Sequence, residues 1–176
     1  IDNEEKHFNA HIMAAKKFGL DITFDELIQA IPYAIGGGDR LIAEGLARVS
    51  GGTISADSLF LLQKEIYEDL IHSEEIVLRP GAYETLCAIR GKGIPLAIGT
   101  LTPLNHTDIL MQRAGLYEFF LPERIVFADC GRKPKPAPDI YIETARRMGI
   151  DPKKQVVFED SVPGILAARD AGSFPI

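Results

Sequence analysis

The chain has 176 residues, 46% of them apolar and 25% charged, enough for a core domain plus a small second module and ordinary for a water-soluble globular protein. Its formal charge of -6 argues against nonspecific nucleic-acid or anionic-membrane partners. No apolar run approaches the roughly 20 residues of a membrane span, and the acidic start shows no signal peptide. The two cysteines, Cys87 and Cys130, have no CxxC spacing, which argues against zinc and redox centres; reduced thiols in a cytoplasmic protein are the expectation.

The first half reads as helical. Residues 4–18 place Phe8, Ile12, Ala15 and Phe18 at helical spacing, with Gly19 as a stop. Thr23 precedes a segment over 24–31 that Pro32 ends. Gly36-Gly37-Gly38 predicts a loop, and Asp39 opens a helix running to about Val49. Ser55 is a good N-cap for a long helix to about His72, with Phe60, Leu61, Ile66, Leu70 and Ile71 for its apolar face.

The second half alternates. Pro80-Gly81 starts a helix to about Arg90, and 95–100 fits a buried strand. Thr102-Pro103 reads as an N-cap followed by proline in the first turn, leading a helix to Ala114-Gly115. A second strand is predicted over 125–128 and a helix from Pro138 to about Gly149. A third strand covers 156–158, with a helix from Pro163 to Ala171-Gly172. Strand and helix alternating in this way predict an α/β fold: a Rossmann-like parallel sheet with helices on both faces. The expected division is an α/β core over 1–4 and 80–176 and a helical-bundle module over 5–79.

In open parallel sheets ligands bind beyond the carboxyl ends of the strands. Thr100 ends the first strand, Lys133 and Lys135 follow the second across a loop, and Glu159-Asp160-Ser161 follow the third. A hydroxyl and the free N–H groups of a helix start favour an anion. An ammonium neutralises a transferring phosphoryl group, and carboxylates offer hard oxygens to Mg2+. The set points to phosphoryl transfer on a small phosphate ester. Lys133 reads as a solvated loop residue, whereas Lys135 belongs to the pocket. Ser161 serves either as a helix cap or as a pocket residue.

Three segments carry a family resemblance. The run Gly99-Thr100-Leu101-Thr102-Pro103 resembles motif II of the haloacid-dehalogenase-like phosphatases. Lys135-Pro136-Ala137-Pro138-Asp139 resembles their motif III, and Glu159-Asp160-Ser161-Val162-Pro163-Gly164 their motif IV, in the right order and spacing. The helical first half resembles the small cap inserted between motifs I and II, and the subgroup resembles β-phosphoglucomutase and sugar-phosphate phosphatases. The resemblance implies a Mg2+-dependent phosphatase for a small phosphorylated metabolite, such as a sugar phosphate. Its reaction would pass through an aspartyl-phosphate. Thr100 and Lys135 would be catalytic, Asp160 and Glu159 would hold the metal, and Thr102, Arg40, His7 and Ser161 would contact substrate.

The resemblance also implies a DxDG motif on a first strand, with a second aspartate two residues after the nucleophile as general acid/base. That motif is expected just before Ile1, and a further strand and helix after Ile176. Without it the chain is expected to be inactive. A phosphosugar mutase is the alternative, weakened because Gly36-Gly37 stand where the mutase cap loop has a lysine. A non-catalytic phosphate-binding module is the other. His7 and His11 share a helix face, but Phe8 replaces the glutamate a zinc-protease helix requires.

Overall fold

The computed structural model describes residues 1, 3–35, 38–127 and 131–176; Asp2, the Gly36-Gly37 pair and Cys130 lie outside them. The chain divides into two compact units, Ile1–Val77 and Leu78–Ile176. Residues 1–4, expected with the α/β core, fall in the first unit, where Asn3 Nδ2 donates to the Tyr67 hydroxyl at 2.7 Å.

The first unit is four helices, α1 Glu4–Lys17, α2 Phe24–Ala30, α3 Asp39–Val49 and α4 Ala56–Ser73. Gly19, at φ +84°, takes the left-handed turn after α1, where a side chain would be strained. Thr23 and Glu26 form a capping box at α2, satisfying two otherwise orphaned N–H groups. Ser55 holds the N-cap position of α4, with no side-chain cap bond. Of the apolar face expected for α4, Ile66 and Ile71 are buried and Phe60 and Leu70 half-buried, and only Leu61 stands out in solvent. Leu59, Gln63, Ile66, Tyr67 and Ile71 are buried, while Leu61 is 62% exposed. The buried stripe also takes in the polar-tipped Gln63 and Tyr67, which an apolar pattern does not count.

A polar cluster ties α1 to α3. Asp39 Oδ1 lies 3.2 Å from His7 Nδ1 and 3.1 Å from His11 Nε2. A carboxylate only accepts, so both imidazoles donate. His7 also stacks on Tyr67 at 4.0 Å between ring centroids. Burial pushes the Asp39 carboxyl up, but the hydrogen bonds and charges of the two histidines outweigh it and hold the group below its ordinary 3.8. A depressed carboxyl contributes stability above its unfolded value, and the contribution fades as pH falls through it. Asp39→Asn should therefore cost about 1–2 kcal/mol at pH 7. In urea titrations the gap from the parent should narrow below pH 3.8; a gap independent of pH would remove the carboxylate from this role.

The second unit holds α5 Ala82–Gly91, β1 Ile98–Thr100, α6 Leu104–Arg113, β2 Ile125–Phe127, α7 Asp139–Met148, β3 Val156–Val157, α8 Val162–Asp170 and β4 Phe174–Pro175. Helix α6 begins at Leu104, with Pro103 rather than Thr102 at the cap. Proline there has no N–H to lose. The α/β architecture expected from the alternation is present, with parallel strands. Among the described residues these form two ladders, β1 with β2 and β3 with β4. Ile98, Gly99 and Thr100 pair with Ile125, Val126 and Phe127. Strand β4 was not predicted: Pro175 removes one donor, and the ladder survives because Phe174 and Ile176 donate to Gln155 and Val157 at 2.9 and 2.8 Å.

One buried cluster spans both ladders: Val126 from β2, Val157 from β3, Ile140 and Tyr141 from α7, and Ala167 and Ala168 from α8. The β1 and β3 edges line a groove of about 980 Å³, with Leu96, Ile98, Val156 and Phe158 in its walls. Unpaired strand edges with apolar walls are what a further strand would cover.

Candidate active site

Thr100, Lys135, Glu159 and Asp160 lie at or beyond the carboxyl ends of β1, β2 and β3. Thr100 closes β1, and its Oγ1 accepts the Thr102 N–H at 3.0 Å. That bond uses one lone pair and leaves the Thr100 proton free to donate. The Thr102 carbonyl accepts from Thr107 Oγ1 at 3.1 Å.

Lys135 lies in the loop before α7 and is held by Glu159. The Lys135 ammonium donates to Glu159 Oε1, and the Tyr141 hydroxyl donates to the same oxygen. The other oxygen, Oε2, accepts from Ser161 Oγ at 2.9 Å and from the Ser161 N–H at 3.3 Å. Both partners of the ion pair are nearly buried, with side chains 10% and 6% exposed for Lys135 and Glu159. Burial pushes the Glu159 carboxyl up, yet the bonds from Lys135, Tyr141 and Ser161 win and hold it below its ordinary value. Lys135 Nζ also sits 5.1 Å from the Tyr141 ring centroid, a cation–π distance.

Ser161 serves both α8 and Glu159. It is the N-cap of α8, accepting from the Gly164 N–H at 3.1 Å, and it donates to Glu159. Gly164 admits the carboxylate: a Cβ there would stand 2.0 Å from the Glu159 carboxyl carbon.

The two acidic neighbours therefore differ. Glu159 is taken up by four donors. Asp160 is exposed and makes no hydrogen bond or ion pair among the described residues. No group of three or more His, Cys, Asp or Glu that could hold a metal occurs among those residues. A lone exposed carboxylate at a strand end still fits Mg2+, which takes one or two carboxylates and completes its shell with phosphate and water.

Arg40 and His7 belong to the helical unit. Arg40 is exposed and pairs with Asp57 at 2.6 Å and Glu44 at 3.2 Å, its guanidinium 5.5 Å from the Phe60 ring centroid. His7 is engaged with Asp39 and Tyr67.

The parallel α/β unit thus carries the Thr100 hydroxyl, the Lys135 ammonium braced by Glu159 and the exposed Asp160 carboxylate. The profile of the haloacid dehalogenase-like hydrolases matches residues 3–172, and the chain belongs to that family. It is 32% identical to the phosphorylated carbohydrates phosphatase of Thermotoga maritima over 98% of this chain and 76% of that protein. Among solved structures, the family IA, variant 3 hydrolase of Entamoeba histolytica is 27% identical with TM-score 0.77, over 97% of this chain and 75% of that one. CbbY from Rhodobacter sphaeroides, solved with phosphate, is 26% identical with TM-score 0.71, over 99% and 79%.

Among the described residues no helix is long and apolar enough to cross a membrane. Sequence reasoning missed Tyr141 and Gly164. Both lie inside or beside the quoted motifs, but neither carries a charge that would single it out.

Proposed function

We propose that the protein is a Mg2+-dependent phosphatase of small phosphorylated metabolites, sugar phosphates foremost, working through an aspartyl-phosphate. The observation that carries this reading is a Lys135 braced by Glu159 in the loop before α7, with the exposed Asp160 next to that brace just after β3. Lys135 has three N–H groups, and Glu159 occupies one of them; the others serve phosphate oxygens. The Thr100 hydroxyl donates to a further oxygen.

We assign the metal to Asp160, and Glu159 to Lys135 in place of the metal role expected for it. Bound there, Mg2+ would offset the charge of the phosphate oxygens. The attacking aspartate belongs on a strand preceding Ile1, and the apolar groove between β1 and β3 suits such a strand. The similarity to a phosphorylated carbohydrates phosphatase supports the substrate class. Water, rather than a second sugar hydroxyl, resolves the intermediate in this reading.

The full-length protein should release phosphate from a panel of sugar phosphates with Mg2+ and lose that activity in EDTA. Metal-independent turnover would contradict the assignment, and phosphate moved from one sugar carbon to another would favour a mutase. Asp160→Asn should leave stability within about 0.5 kcal/mol, as for other exposed positions. It should raise the Mg2+ concentration for half-activity by about tenfold or more; parental Mg2+ dependence would remove Asp160 from the metal site.

A further inference from the structure

We propose that Tyr141 is a positioning residue for the phosphate-binding lysine: by sharing Glu159 Oε1 with Lys135, it keeps the ammonium available to substrate. The inference rests on the function proposed above.

Three contacts place Tyr141 at the centre of the site. Its hydroxyl donates to Glu159 Oε1, the oxygen that Lys135 also uses. Its ring lies beneath the Lys135 ammonium. The same ring packs on β1, since a Cβ on Gly99 would come 3.4 Å from Tyr141 Cε1, and Gly99 precedes Thr100. The side chain is buried at 4% exposure and sits in the first turn of α7, six residues after Lys135. It thus joins β1, the lysine loop and the end of β3.

The consequence is a matter of competition. A carboxylate facing a lysine alone forms a closed ion pair, and a substrate phosphate must displace it to bind. A second strong donor on the same oxygen takes up part of its charge and weakens its hold on the ammonium. Burial first, then the hydrogen bond to Glu159 and the charges of Glu159 and Asp160, keep the phenol protonated. The hydroxyl therefore remains a donor throughout the working pH range. Ser161 does the same at Oε2, which fixes the carboxylate plane from the other side.

Tyr141→Phe removes the hydroxyl and keeps the ring. In the full-length enzyme, Ki for inorganic phosphate and KM for a sugar phosphate should rise about five- to thirty-fold, with a smaller fall in kcat. The thermal midpoint should change little, because the ring still fills its place. In a Glu159→Gln background the same substitution should have less than about a twofold effect, since the partner it acts through is gone.

Parental Ki and KM in Tyr141→Phe would overturn the proposal. So would equal losses in both backgrounds, which would show that the hydroxyl acts independently of Glu159. Lys135→Met run in parallel separates the two levels. If it retains parental rates, the phosphatase reading of the site falls; if it is impaired while Tyr141→Phe is not, only the role of Tyr141 falls.

Discussion

Lys135→Met should lower kcat/KM by about 100- to 1,000-fold, the usual loss when one preorganised group facing a developing oxyanion is removed. It should also destabilise the fold, and the two losses have different origins. The kinetic loss comes from the phosphate oxygens that the ammonium would serve. The stability loss comes from Glu159, whose side chain is 6% exposed and would keep its charge without its cation. Breaking a buried pair from one side costs about 3–5 kcal/mol. Here Tyr141 and Ser161 still donate to Glu159, so the lower end of that range is expected.

Two measurements separate these origins. Adding Glu159→Leu to Lys135→Met should restore much of the stability and none of the activity, because an apolar pair leaves no charge behind. The pH dependence is the second. Glu159 is held below its ordinary value of 4.5 in the parent, so its contribution is present above that value and fades as pH falls below it. Losing Lys135 raises the carboxyl, and the stability gap between variant and parent should close on acidification. A gap that does not change anywhere along the acidification would mean that the lysine supports the fold by packing alone.

Much of the fold was legible because its signals are local. Thr23, read as preceding the segment over 24–31, is the N-cap of α2, and Glu26 three residues on completes a capping box. Gly19 and Gly149 stop their helices in the left-handed region that only glycine enters freely. The alternation of short β-branched runs with helical stretches led to parallel strands because such a crossover has essentially one workable packing.

What failed was non-local. Strand β4 exists through its ladder with β3, and nothing in Phe174-Pro175 marks a strand by itself. On α4 the expected apolar face omitted Gln63, which is fully buried and which no hydropathy pattern anticipates. In the site, the resemblance implies a metal role for both Asp160 and Glu159. Only geometry separates a carboxylate saturated by four donors from one left open to solvent.

Gly164→Ala should reduce kcat/KM by about 100-fold while costing stability far less than the loss of Lys135 would. At most glycines an alanine in a helix gains up to about 1 kcal/mol in backbone propensity. Gly164 lies in the first turn of α8, and a Cβ there would stand 2.0 Å from the Glu159 carboxyl carbon and its Oε2. Real atoms do not approach so closely, so the carboxylate must move. Glu159 is long and can swing aside, which spares the fold a backbone clash. It cannot do so and keep both Oε1 on Lys135 and Tyr141 and Oε2 on Ser161.

The cost therefore falls on the position of the ammonium rather than on the core. The upper bound is the loss seen in Lys135→Met, since displacing the brace cannot do more than remove what it braces. Shortening the displaced side chain tests this directly. Gly164→Ala combined with Glu159→Ala should lose no more activity than Glu159→Ala alone, a strongly non-additive pair. Additive losses would mean that the methyl acts on α8 itself, and the nesting of Glu159 against Gly164 would then have no part in holding Lys135.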